Sequence, residues 1–344
     1  MIRHWHSPEP EEIGHNILEF LQAMQGPCRI SIPGRDRSRC RVLVTLLHGN
    51  ETSGLKALYA LLRDSLPRGW QPAVDLHCYV IGREAALLDP VFTHRQVPDK
   101  RDYNRCFRPP WDVDEQGLVC RKLLDEIAAL EPEVVIDMHN TSGEGPAFAV
   151  ATRLARRHEP VVSLFTDRLI VTDLQLGALM ETDSPEIPVL TIECGGAFEE
   201  SADRFAWEGL QRFAGQDDIL SPVDSEWGLD IYHNPMRLEL DKPLNLAYAD
   251  APRPGADITL KVDIEHHNFG AVQADTFLGW LSPTAARHLA VHDREGRNHF
   301  REYYRVENGR LFPRRPQKLF MITSNPVIAN SDCLWYTVAD PEPA

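Results

Sequence analysis

Residues Arg41-Val-Leu-Val-Thr-Leu-Leu-His48-Gly-Asn-Glu51-Thr-Ser-Gly54 decide how the chain is read. An apolar, β-branched run ends at His48, Glu51 follows three residues later, and Leu55-Lys-Ala-Leu-Tyr-Ala-Leu-Leu62 resumes with helical spacing. The pattern predicts a buried strand delivering a His at its carboxyl end, a Gly-Asn turn returning a carboxylate beside it, and then a helix. Open α/β sheets bind ligands just outside such strand ends. An imidazole and a carboxylate there are two-thirds of a catalytic zinc site, which takes three protein ligands and keeps a fourth position for water.

Glu133-Val-Val-Ile-Asp-Met-His139 supplies a second apolar run ending in His. Either His alone reads as an ordinary hydrogen-bonded strand-end residue. Together, His48, Glu51 and His139 predict a metal site holding one Zn2+ per chain, although such a set also accepts other divalent ions. Asp137 shares a strand face with His139, so it is expected to orient a ligand ring. His4 and His6 flank Trp5 near the amino terminus and read as incidental.

Four segments occur in order: His48-Gly-Asn-Glu51-Thr, Asp102-Tyr-Asn104-Arg105-Cys-Phe, Asp137-Met-His139-Asn-Thr and Ile192-Glu193-Cys-Gly. Together they resemble the motifs of the succinylglutamate desuccinylase/aspartoacylase family, a branch of the zinc carboxypeptidase-like fold. The resemblance covers about residues 40–200. It implies a zinc-dependent amidohydrolase that cleaves the amide of a small N-acyl amino acid or related amide. Glu193 would be general base and then general acid, and Asn104 with Arg105 would clamp the substrate α-carboxylate.

Two departures from the family pattern shape the expectations. Relatives carry an oxyanion-stabilising Arg five residues before the Asp of Asp-x-Asn-Arg, where this chain has Val97. Arg95 is therefore expected in that role, with Arg101 as the alternative. Relatives that cleave N-acylated acidic amino acids carry an Arg ten residues before the catalytic Glu, where this chain has Asp183. Asp183 is expected to face the substrate side chain and to favour a neutral or basic one. The turn-rich Asn140-Thr-Ser-Gly-Glu-Gly-Pro146 is expected to line the pocket, with Asn140 touching substrate. The rival readings are a zinc carboxypeptidase-type peptidase on short peptides and a non-enzymatic zinc-binding sensor.

The formal charge of −15 opposes nucleic acid and anionic lipid. No apolar run approaches the ~18 residues of a membrane span. The start, Met1-Ile-Arg-His-Trp-His-Ser-Pro-Glu9, has no apolar segment of the signal-peptide kind. Seven scattered cysteines without a CxxC pair fit reduced thiols in a cytoplasm. A small-molecule substrate is the expected partner, and a homo-oligomer is compatible with the sequence.

Strands alternating with helices up to about residue 220 predict an α/β fold, with a mixed, mostly parallel sheet flanked by helices. Residues 221–344 read as a smaller β-rich domain, which the resemblance places over the active site.

Overall fold

The structure is a computed structural model that describes residues 1–221, 228–292 and 296–339. Two compact units emerge: Met1–Asn140 with Ala147–Ile231, and Thr141–Pro146 with Tyr232–Ala344. The expected boundary at 220/221 borders residues 222–227, which lie outside the described residues.

The first unit is a mixed α/β fold. Its strands are β1 Arg3–His6, β2 Cys28–Ile32, β3 Asp36–Thr45, β4 Val74–Val80, β5 Val135–Thr141, β6 Phe148–Ala151, β7 Arg168–Val171, β8 Val189–Gly196 and β9 Asp230–His233. They form one sheet in the order β1-β2-β4-β3-β5-β8-β6-β7-β9. β3 runs parallel to both β4 and β5, whereas β6 runs antiparallel to β8. The helices are α1 Ile17–Met24, α2 Ser53–Ala60, α3 Arg83–Ala86, α4 Glu115–Leu130, α5 His158–Ser163 and α6 Glu200–Gly215.

Both faces of the central strands are covered, so their sequences run apolar without alternation. On one face Leu43, Ile136, Met138 and Ile192 pack with Leu55 and Leu58 of α2 and Ala206 and Leu210 of α6. On the other, Val42, Val44, Val135 and Val189 pack with Val119, Leu123 and Ile127 of α4. Strand side chains at i and i+2 share a face. His139 and Asp137 therefore stand on the Val135 side, and Glu193 stands on the Val189 side, which is the same face of the sheet.

The sequence places His48 at the end of a strand. The structure ends β3 at Thr45 and turns the chain at Leu46, whose φ is +54°. A buried non-glycine residue in that region is strained and persists only where packing over-determines it. Gly49 explains part of the constraint. A Cβ there would lie 2.4 Å from Ala86 N, so the His48–Glu51 turn lies against the α3 backbone and only glycine fits.

The second unit holds two five-stranded sheets, assembled from short strands between Met236 and Ala339. Leu238, Leu260, Leu311, Leu319 and Trp335 are among its core residues, and Trp335 Nε1 donates to Tyr304 Oη at 2.7 Å. Phe300–Tyr303 is a short helix, and the strand that follows begins at Tyr304. Residues 141–146 are held by Asn268 Nδ2 donating to Glu144 O at 2.6 Å, and by Glu265 accepting from Glu144 N at 3.3 Å.

Candidate metal and catalytic centre

Glu51 bridges the two histidines. Its Oε1 lies 2.8 Å from His48 Nδ1, and its Oε2 lies 2.6 Å from His139 Nδ1. All three side chains are buried, and one ligand atom from each falls within 4.8 Å of the others. The backbone N–H of Asn140 donates to Glu51 Oε2 at 3.2 Å, which fixes the carboxylate from the β5 side.

The far nitrogens of both rings meet carboxylates as well. His48 Nε2 lies 3.0 Å from Asp102 Oδ1, and His139 Nε2 lies 2.8 Å from Asp137 Oδ2. Burial works against a charged His139 ring, but Asp137 and Glu51 outweigh it and hold its pKa well above the usual histidine range. Burial would likewise raise Glu51, but the His48 and His139 charges hold its carboxyl well below the usual range.

A neutral imidazole has one N–H, and if each ring gives it to its Asp, each Nδ1 turns a lone pair toward Glu51. Electrostatics then demand a cation at that point, either protons or a metal. Two imidazole nitrogens and a carboxylate are the donor set of a catalytic zinc site. The residues present therefore fit such an ion, and ring-orienting carboxylates are what metal-bound histidines require.

Glu193 stands on the same sheet face. Its Oε2 is buried without a hydrogen-bond partner among the described residues. Burial pushes its carboxyl up, with the neighbouring His139 charge opposing and that of Glu51 adding, to about 7. A buried polar atom without a partner is costly and calls for a partner such as a ligand, a water or an ion.

The architecture is similar to that of several solved structures. One is the succinylglutamate desuccinylase/aspartoacylase from Rhodobacter sphaeroides, with a TM-score of 0.57 and 16% identity over 90% of this chain and 88% of that one. Another is the succinylglutamate desuccinylase from Chromobacterium violaceum, with a TM-score of 0.55 and 14% identity over 92% and 89%. Murine aminoacylase 3 gives a TM-score of 0.53 and 12% identity over 88% and 96%. The chain has the succinylglutamate desuccinylase/aspartoacylase fold. No protein-family model and no curated protein matches the sequence.

Within this desuccinylase/aspartoacylase fold, the Asp-x-Asn-Arg segment packs beside the ligand cluster. Asn104 is buried, its Oδ1 accepts from Leu179 N at 3.1 Å, and its Nδ2 lies 3.5 Å from His139 Nε2. Arg105 NH1 donates to Asn104 O at 2.8 Å. Arg95 reaches Asp102 Oδ2 at 3.0 Å and Glu51 Oε1 at 3.5 Å. Arg101 is engaged elsewhere, bonding both oxygens of Asp114 at the start of α4.

Two of the expected substrate contacts are bonded within the protein. Asn140 was expected to touch substrate, but its side-chain oxygen accepts from Ser53 N, and its amide donates to Ser53 Oγ and Gly195 O. Both amide hydrogens are thus engaged within the protein. Asp183 was expected to face the substrate side chain. It is sealed, with its oxygens bonded to Arg153 Nε at 2.5 Å, His158 Nε2 at 3.0 Å and Val189 N at 2.9 Å. Val189 opens β8, so at roughly 3.3 Å per residue it lies about 13 Å along the strand from Glu193. The repulsion argument against an acidic substrate side chain falls with that contact.

Asp102 was missed as an orienting residue for His48. The only sequence signal was the motif in which it stands, because nothing in the spacing reveals a partner across 54 residues.

Proposed function

We propose that this chain is a zinc-dependent amidohydrolase that cleaves the amide of a small N-acyl amino acid or related amide. The observation that carries the reading is Glu193: an unpartnered, buried carboxylate oxygen on the same sheet face as a His48–Glu51–His139 donor set. The neighbouring structures named as a desuccinylase and an aminoacylase support it by fold.

His48, Glu51 and His139 would hold the ion, and Asp102 and Asp137 would keep the two rings oriented. When bound, zinc lowers the pKa of water and polarises a carbonyl. Glu193 takes the proton from the attacking water and passes it to the nitrogen as the C–N bond breaks. In the metal-free protein burial raises this carboxyl to about 7, so it holds a proton more readily than an ordinary carboxylate, as both transfers require. Arg105 offers a planar fork to the substrate carboxylate, with the Asn104 amide beside it. Arg95, already at Glu51, carries the developing oxyanion, a contribution of several kcal/mol in such sites.

The test is metal analysis of the purified protein, followed by assay of wild type and Glu193→Gln on a panel of N-acetyl and N-succinyl amino acids. About one zinc per chain, with turnover that Glu193→Gln lowers about 10²- to 10⁴-fold, is the expected result. Bound zinc with no turnover of any amide would instead indicate a binding protein.

A further inference from the structure

Asn140 ties together four segments of the first unit. Its amide exchanges two hydrogen bonds with Ser53, at 3.1 Å to the backbone N and 2.9 Å to Oγ. The same amide nitrogen donates to Gly195 O at 3.1 Å, two residues beyond Glu193. Its backbone N–H holds Glu51. Ser53 Oγ continues to Asp203 Oδ1 of α6 at 2.7 Å, and Asp203 Oδ2 takes Lys56 Nζ at 2.7 Å. Asn140 and Ser53 are 3% and 0% exposed, so water does not replace a lost bond.

Only an amide satisfies this arrangement. Ser53 N requires an acceptor, and the Gly195 carbonyl requires a donor. Gly195 itself has φ +108°, so the chain turns sharply just past Glu193 and needs an anchor there.

We propose that Asn140 is a positioning residue of the hydrolytic site, setting the separation between the turn that carries Glu51 and the strand end that carries Glu193. The inference rests on the metal-hydrolase reading above. Asn140 touches neither substrate nor ion through its side chain. It acts by holding a ligand and the base in register, and displacements near 1 Å at such positions cost on the order of a hundredfold in rate.

The experiment compares wild type, Asn140→Ala and Asn140→Asp in Co2+ titrations followed by d–d absorption, alongside kinetics on whichever amide the wild type hydrolyses. Asn140→Asp retains the acceptor for Ser53 N but turns an oxygen toward the Gly195 carbonyl. Both variants should bind Co2+ about tenfold more weakly, with a shifted spectrum. Both should lose about 10- to 100-fold in kcat while KM changes less than about threefold. Ser53→Ala removes the Oγ branch of the link, to Asn140 Nδ2 and Asp203, while the Ser53 N and Gly195 O bonds remain; it leaves β5 unaltered and serves if Asn140→Ala does not fold. Adding it to Asn140→Asp should cost little more than Asn140→Asp alone, since the two act as one unit. Wild-type Co2+ affinity, spectrum and kcat in the variants would overturn the inference, as would a raised KM at unchanged kcat, which is the mark of a substrate contact. A wild type that takes up no Co2+ would instead remove the metal reading, and this inference with it.

Discussion

His48 Nε2 lies 3.0 Å from Asp102 Oδ1, and the same relation recurs between His139 Nε2 and Asp137 Oδ2 at 2.8 Å. Each ring is thus pinned by a carboxylate at Nε2 and presents Nδ1 to the shared Glu51. Asp102 is also bound by Arg95 and by Asn104 N, so one carboxylate couples the ligand ring to the motif that carries Arg105.

Replacing either orienting acid should weaken the metal without removing it. Asp102→Asn and Asp137→Asn are each expected to lower Zn2+ affinity about 10- to 100-fold, the usual effect of losing such a partner. Titration calorimetry into metal-free protein measures this. Wild-type affinity in Asp102→Asn would mean that the carboxylate serves Arg95 and not the ring.

Glu193→Gln keeps the shape of the side chain and removes the proton carrier. Turnover should fall about 10²- to 10⁴-fold, the range for a lost general base. Zinc content should be unchanged, because Glu193 is outside the ligand set. Loss of metal in this variant, measured by atomic absorption, would place Glu193 among the ligands instead.

The same substitution has a pH signature in metal-free protein. The Glu193 carboxyl is raised from an ordinary 4.5 to about 7 by burial, so the fold favours its protonated form. That stability is fully present below about 4.5 and is lost as pH rises through about 7. Glu193→Gln should therefore match wild type near pH 5 and exceed it at pH 8 by roughly 1–3 kcal/mol. Urea melts at the two pH values test this, and equal differences at both would show that Glu193 does not titrate in this window.

What the sequence revealed and what it hid follow from the range of each interaction. The two apolar runs ending in His48 and His139 predict buried strands because apolar pattern is a local property, and the α/β fold class follows from it. The strain at Leu46 has no such signal, since Leu46 extends the same apolar run that Thr45 ends as a strand. Asn140 reads as a substrate contact because it follows a candidate metal ligand, and its bonds to Ser53 and Gly195 come from segments far away in sequence. Asp183 reads as a substrate contact from its place ten residues before Glu193, a count that does not show its bonds to Arg153 and His158.

Asp183 offers a prediction of its own. Its bonds to Arg153, His158 and Val189 N make it a buried brace at the start of β8. Asp183→Asn should cost roughly 1–3 kcal/mol of stability, because Arg153 and His158 lose a carboxylate partner. Its kcat/KM should match wild type on every amide tested. A selective gain on N-acylated aspartate or glutamate would return Asp183 to the substrate pocket.

Removing the metal should destabilise the protein most at high pH. The raised pKa of His139 means that, without metal, a proton on its ring is stabilised by Asp137 and Glu51. For a histidine raised in the fold, this support is fully present below its unfolded value of 6.5 and is lost as pH climbs through the folded one. A bound cation replaces that proton, and its binding releases it. The difference in melting temperature between zinc-loaded and chelated protein should therefore widen from pH 6 to pH 9. Differential scanning fluorimetry with and without a chelator reads it directly. A difference that stays constant with pH would mean that proton and metal do not compete for the His48–Glu51–His139 cluster.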